Sequence, residues 1–304
     1  MEDGPDFTYD EKTVLASGGY GNVHKGNLKD RTNTPVVVKV PKTKAASISI
    51  EEEYAILRKL RRTPGIVHLH SMRKTNEMCT IALELANGSV RGLLRQHKGG
   101  LSLEIMKCLV GDMKMGLREL VAHNILHRDI KPDNILYFQR SESDYSFKLS
   151  DFGTSKAVAS MDETAATICG TAVYMTPQLL GYYIGVEGCT KPKGNQCDSW
   201  STGVTLYECA TGDTPFGSMG LLTLYRVVQG IKSRTDAIAY RNKEYQTKLS
   251  GPKFEDEKWR ELEKLISSLL QQRTAKDFLP LMAVFADRHA EEAEEDDNNN
   301  DMRM

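Results

Sequence analysis

The spacing of apolar residues changes character partway along this chain. From Tyr9 to about Ala86, short alternating or β-branched runs at Thr13–Leu15, Asn22–Asn27, Val36–Val40, Ile66–Ser71 and Met78–Leu85 predict strands separated by turns. One stretch in that region differs. Over Ser49–Leu60 the residues Ile50, Tyr54 and Leu57, joined by Ile56 and Leu60, recur at intervals of three and four, as the buried stripe of a helix requires. Ala86-Asn87-Gly88-Ser89 then reads as a short extended linker. Beyond it, helical spacing dominates, at Leu103–His123, Ser199–Thr211, Leu221–Gln229, Lys258–Gln271 and Phe278–His289. The pattern predicts an α+β chain of two lobes: a small β-rich one over 9–86 with one helix, and a larger, mainly helical one over 87–289. Residues 1–8 are expected to form an N-terminal tail. Glu291–Asp301 is acidic and asparagine-rich, with too little apolar surface to offset its ordering entropy, so 290–304 is expected to be a solvated acidic tail.

Composition narrows the setting. With 40 basic and 41 acidic residues among 304, the net charge of −1 gives no reason to expect a nucleic-acid partner. The longest apolar runs fall far short of the roughly 18 residues that span a bilayer, and the start MEDGPDFTYDEK has no signal-peptide pattern. Six scattered cysteines fit reduced thiols better than a disulfide framework or, at Cys189 and Cys197, half a metal site. A cytoplasmic protein without a membrane partner is expected.

Candidate chemistry begins at Leu15-Ala16-Ser17-Gly18-Gly19-Tyr20-Gly21-Asn22-Val23, a glycine-rich turn between two strands. Glycine lets backbone N–H groups approach a phosphate with no Cβ in the way, although the same turn also serves in a plain hairpin. Lys39 lies inside the apolar strand Val36–Val40, where an ammonium is costly to desolvate unless an anion meets it; a lysine on a surface edge is the plain alternative. Two later segments decide the matter. These are His127-Arg128-Asp129-Ile130-Lys131-Pro132-Asp133-Asn134 and, after the strand-like Phe147–Ser150, Asp151-Phe152-Gly153. With the glycine turn and the strand lysine upstream, the chain from Tyr9 to His289 resembles the eukaryotic protein kinases.

That resemblance implies a bilobal kinase fold with a hinge at about 84–88, an activation segment at about 151–178, and ATP and Mg²⁺ as cofactors. Asp129 matches the base that takes the proton of the substrate hydroxyl, and Asn134 and Asp151 match the Mg²⁺ ligands. Lys39 and Lys131 would neutralise phosphate charge. Among Glu51, Glu52 and Glu53, the partner of Lys39 is expected to be Glu53, which precedes Ile56 and Leu57 by three and four and so shares their inward face. The adenine site would use backbone groups of Glu84 and Ala86, Leu83 as gatekeeper, and Leu15, Val23, Val37 and Leu136 as apolar walls, with Gly18, Gly19, Tyr20 and Gly21 over the phosphates. Lys131, two residues after Asp129, implies serine/threonine preference, and Gly170-Thr171 before Tyr174 resembles the platform that places a protein acceptor, with Thr171 near the base. His127 is expected to be packed and structural, and Asp198 to prop up the catalytic loop from a helix.

Thr176-Pro177-Gln178 in place of Ala-Pro-Glu, and an enlarged connection from Pro177 to Asp198, are similar to the IκB-kinase-related branch. In that branch an activating serine falls where this chain has Thr167, which implies a phosphorylation switch read by Arg128 and Lys156. The partners so implied are a protein substrate and an upstream kinase, or a second copy acting in trans. Two departures stand out: Ala16 replaces the first loop glycine, and Val37 adds methyl bulk over the adenine position. These, with Gln178, are what favours the alternative of a pseudokinase scaffold that binds nucleotide and partners without efficient transfer. A small-molecule kinase of similar fold fits Gly170-Thr171 and Tyr174 less well.

Overall fold

The structure is a computed structural model that describes residues 2–18, 21–159, 171–186, 190–215, 257–270 and 275–286. Its N-terminal part is an antiparallel sheet of β1 (Glu2–Asp3), β2 (Phe7–Gly18), β3 (Gly21–Leu28), β4 (Pro35–Val40), β5 (Leu69–Thr75) and β6 (Met78–Glu84). Their spatial order is β1-β5-β6-β4-β3-β2. Alternation along β4 sorts its side chains. Val36 and Val38 are fully buried with Phe7, Leu28 and Ala82 on one face, while Val37 and Lys39 point to the other. Since Val23 and Ile81 pair directly with Lys39, and Leu83 with Val37, one sheet face collects Val23, Val37, Lys39, Ile81 and Leu83.

Helix α1 (Lys44–Lys59) packs on that face. Thr43 caps it by accepting from the Ala46 N–H at 3.1 Å, and its buried stripe runs Ala46, Ile50, Glu53, Leu57. A carboxylate thus lies within an apolar stripe. The helix starts five residues before the expected Ser49, because the cap precedes the first strongly apolar position.

Other boundaries also differ from expectation, β2 running beyond Thr13–Leu15 at both ends. The strand expected at Ile66–Ser71 is displaced to β5, because the Ile66 and Val67 backbone is used at the lobe junction: Val67 N–H donates to Leu149 C=O at 2.9 Å. Gly65 makes that junction possible. It has φ +77°, and a Cβ there would lie 2.2 Å from the Asp112 carbonyl oxygen. The expected tail over 1–8 is instead partly ordered: β1 pairs with β5, Phe7 is buried, and Asp6 meets Arg73 at 3.1 Å.

The C-terminal part is mainly helical: α2 (Val90–Gln96), α3 (Leu103–Ala122), α4 (Pro177–Tyr183), α5 (Gly194–Thr211), α6 (Glu257–Leu269) and α7 (Ala275–Ala286). α5 is buried along most of its length, with Trp200, Val204 and Tyr207 in the main core, and α6 packs against it. Short strands complete the lobe. β7 (Gly88–Ser89) pairs with β9 (Ile135–Gln139), which pairs with β10 (Tyr145–Leu149); β8 (Ile125–Leu126) pairs with β11 (Lys156–Ala157). The linker is therefore a strand on the larger lobe, tied further by Asn87 N–H to Tyr137 C=O at 3.0 Å. The helix expected at Leu221–Gln229, the acidic tail, Cys169 and Cys189 lie outside the described residues. Among the described cysteines, Cys79, Cys108 and Cys209 are free thiols, and burial pushes the Cys79 thiol up to about 11.

Asp112, on α3, accepts the Phe147 N–H of β10 at 2.6 Å in a largely apolar seam. Burial pushes its carboxyl up to about 6, against the pull of that N–H and Lys148. A raised folded-state pKa means the protonated form favours folding. That contribution is present below the unfolded value near 4 and is lost as pH rises through about 6. Asp112→Asn keeps an acceptor for Phe147, so it is expected to be stabilising by about 2 kcal/mol at pH 8 and nearly neutral at pH 4. Thermal unfolding of both proteins across this range checks it; a gap that does not widen with pH refutes it.

Candidate active site

Lys39 reaches across the cleft to two carboxylates, Glu53 on α1 at 2.6 Å and Asp151 at 2.9 Å. Its side chain is 12% exposed and that of Glu53 1%, so water screens this pair little, whereas the Asp151 side chain is 36% exposed. Burial opposes the charge on Lys39, but Glu53 and Asp151 together hold its ammonium well above the ordinary value. Burial pushes the Glu53 carboxyl up against the pull of Lys39. Asp151 is also penalised by burial, yet Lys39 holds it below the ordinary carboxylate range. The two rejected glutamates face outward: Glu51 pairs with Lys74 at 2.9 Å, and Glu52 is exposed.

Asp151 begins a tight turn and adopts φ +59°, a left-handed conformation that a non-glycine residue holds only when its surroundings impose it. Those surroundings are visible. Phe152 donates its N–H to Glu53 at 3.2 Å, its ring is fully buried 4.9 Å from the His127 ring, and Ser49 Oγ donates to Gly153 C=O at 3.1 Å. His127 is itself buried, with Nε2 3.0 Å from Ser150 C=O. Asp198 on α5 accepts from the His127 and Arg128 N–H groups at 2.8 and 2.7 Å. A continuous chain of contacts therefore runs from α5 through the catalytic loop to α1.

Asp129 sits at the end of that support, 8% exposed. Its Oδ2 accepts from Lys131 Nζ at 2.7 Å and Asn134 Nδ2 at 2.9 Å, and its Oδ1 from the Thr171 N–H at 3.1 Å. Lys131 also donates to Thr171 Oγ1 at 2.7 Å. These contacts gather Asp129, Lys131, Asn134 and Thr171 around one carboxylate, which is the placement a proton acceptor needs beside an incoming hydroxyl.

The apolar residues lie where the sheet register puts them. Leu83 is buried, Val23, Val37, Ala86 and Leu136 are half-buried, and Leu15 is 50% exposed. β2 and β3 close on the pair Gly18–Gly21; at Gly21, with φ +151°, a Cβ would lie 2.2 Å from Val40 C=O, whereas at Gly18 it would meet nothing. Gly19 and Tyr20 lie outside the described residues, as does Thr167. Glu84 uses its carboxylate to hold Lys148, at 2.8 Å, and the His68 N–H. Lys156 lies on β11. Arg128, at φ +69°, donates through Nε to Thr154 C=O at 2.5 Å, and its buried Nη1 has no hydrogen-bond partner among the described residues.

Both candidate metal ligands offer hard oxygen. The amide nitrogen of Asn134 is engaged by Asp129, which leaves its Oδ1 as the metal-donor atom, and the half-exposed Asp151 engages Lys39 through Oδ1. This donor set fits Mg²⁺, which takes one or two protein oxygens and keeps its other positions for phosphate and water.

Residues 9–279 match the family model described as the protein kinase domain. The chain belongs to the protein kinase family. Among its curated relatives, the inhibitor of nuclear factor kappa-B kinase epsilon subunit homolog 1 of Caenorhabditis elegans is 32% identical over 268 residues, covering 78% of this chain and 32% of the relative. Serine/threonine-protein kinase unc-51 of the same organism is 29% identical over 227 residues, 71% of this chain and 26% of the relative. Serine/threonine-protein kinase 36 of Pongo abelii is 29% identical over 218 residues, 71% and 16%. The chain thus spans less than a third of the length of these kinases. The family match agrees with the β-sheet N-terminal part and mainly helical C-terminal part, the bilobal kinase fold. No described helix of this kinase is long and apolar enough to cross a membrane.

The sequence reading did not find Arg91, at the start of α2, which bonds Tyr174 and Glu208 across 83 and 117 positions of sequence. Nor did it find that Ser49 holds Gly153, or that Glu84 holds Lys148. Neither periodicity nor a motif marks these residues, because each pairing is created by the packing of distant elements.

Proposed function

We propose that this kinase transfers the terminal phosphoryl group of ATP through the residues gathered at Asp129, and that it belongs with the IκB-kinase-related enzymes. The observation carrying this reading is the Asp129 carboxylate, bonded to Lys131, Asn134 and Thr171. Asp129 orients the acceptor hydroxyl and takes its proton as the new oxygen–phosphorus bond forms and the bond to the departing ADP oxygen breaks. Lys131 and Lys39 offset charge on the phosphate oxygens, and Leu15, Val23, Val37, Leu83 and Leu136 enclose the adenine against backbone groups of Glu84 and Ala86. The glycine-rich turn closed by Gly18 and Gly21 serves the phosphates. When bound through Asn134 and Asp151, Mg²⁺ neutralises phosphate charge.

Regulation and placement are part of the same proposal. Phosphorylated Thr167 pairs with Arg128, whose Nη1 is buried without a partner among the described residues, and with Lys156. The likeness to the Caenorhabditis elegans homolog supports the branch assignment, as does Thr176-Pro177-Gln178, where Thr176 caps α4 through the Leu179 N–H at 3.0 Å and Gln178 is exposed. The substrate is a protein, phosphorylation of Thr167 comes from an upstream kinase or a second copy in trans, the lobes divide at Ala86, and the setting is cytoplasmic.

Purified protein with Mg²⁺-ATP and a generic protein substrate is expected to incorporate phosphate at serine or threonine, with incorporation abolished by a chelator. Absence of transfer would instead favour a nucleotide-binding scaffold. Thr167→Ala is expected to match the dephosphorylated wild type and to fall about five- to a hundredfold below the phosphorylated form. Equal rates from all three would remove the switch.

A further inference from the structure

Next to the catalytic loop, the chain neutralises its own acidic pocket. Arg91 makes four bonds with its guanidinium: Nε to Asp133 at 3.2 Å, Nη1 to Glu208 Oε1, and Nη2 to Glu208 Oε2 at 3.3 Å and to Tyr174 Oη at 2.6 Å. The Tyr174 hydroxyl in turn donates to Glu208 at 2.6 Å. Four elements meet there. Arg91 begins α2, Asp133 lies between Lys131 and Asn134 of the catalytic loop, Tyr174 lies on the segment that carries Thr171, and Glu208 is in α5. The node communicates with the base through two bonds: Tyr174 N–H to Thr171 C=O at 2.9 Å, and Thr171 N–H to Asp129.

The charges are unequal in accessibility. The Glu208 side chain is 6% exposed, Arg91 25% and Asp133 47%, so the pocket opens toward solvent on the Asp133 side, beside the residues that receive the acceptor. Without Arg91, two carboxylates would face a substrate chain there, and a basic substrate residue would be drawn to them. The fork of a guanidinium satisfies both carboxylates and the phenol together, which an ammonium could not do with the same geometry. Burial opposes ionisation of the Tyr174 phenol, and the neighbouring Glu208 pushes it further up, so it stays a neutral donor.

We infer that Arg91 is a specificity-determining residue: it fills with the chain's own guanidinium an acidic subsite that would otherwise select arginine near the substrate serine. The inference rests on the kinase activity, and turnover of a neutral parent peptide reports that activity separately. The test is steady-state kinetics on serine peptides carrying one arginine at each position from four before to four after the acceptor. Wild-type protein is expected to show no more than about twofold preference for any of them, whereas Arg91→Ala gains about tenfold at one position, expressed in KM. The double variant Arg91→Ala/Glu208→Gln leaves no buried unpaired carboxylate, and so keeps the test open if the single variant fails to fold. It is expected to retain about threefold from Asp133 alone. A tenfold arginine preference in the wild type overturns the inference, as does a flat profile in whichever of the variants fold.

Discussion

Asparagine in place of Asp129 is expected to lower kcat about 10²- to 10⁴-fold, the contribution of a positioned general base, while the KM for ATP moves little. The carboxylate accepts from Lys131, Asn134 and Thr171, so the change does more than remove a proton acceptor. One of its two oxygens becomes an NH₂ group, which must face a donor on whichever side it lies. A modest drop in thermal midpoint is therefore expected beside the kinetic loss. Single-turnover rates with bound ATP separate the two effects. If more than a tenth of the wild-type rate survived in folded protein, Asp129 would not be the base.

Glutamine in place of Glu53 is expected to lower activity and stability together. Glu53 is almost completely buried, and its carboxyl is pushed up by that burial, so its ionised form already works against folding. The isosteric amide removes a desolvated charge, while Asp151 at 2.9 Å continues to compensate Lys39. What is lost is the pull that centres Lys39 between α1 and Asp151, and, because the amide offers one oxygen to two donors, its NH₂ faces either Lys39 or the Phe152 N–H. Displacement of a phosphate-facing ammonium by about 1 Å costs on the order of 100-fold in rate. We expect that loss in kcat/KM for ATP, with unfolding free energy lowered by about 1–3 kcal/mol by the donor left facing the amide NH₂. A variant with full activity would show that the Lys39–Glu53 pair is merely structural; one that fails to fold would show that Asp151 cannot compensate Lys39 alone.

Glu53 also shows how far periodicity reaches. Its place on the apolar stripe of α1 follows from offsets to Ile56 and Leu57, and the same logic separates it from Glu51 and Glu52. Alternation on β4 similarly puts Val37 and Lys39 on one face. The catalytic loop and Asp151-Phe152-Gly153 were legible because each packs several chemically demanding residues into a few consecutive positions. Boundaries were less legible. The β-branched character of Ile66 and Val67 was read as a strand, but a glycine turn against α3 directs their backbone to Leu149 instead.

Spacing along the chain governs whatever depends on neighbours within a few residues: strands, amphipathic helices, caps and the order of the motifs. The contacts between distant segments obey no such rule. Lys39 and Asp151 are 112 positions apart, and Arg91 and Glu208 117, so each pair meets only once the sheet, α1 and the helices around α5 have packed. Burial then sets their charges, since desolvation and an opposing ion act on a group through space, whatever its place in the chain.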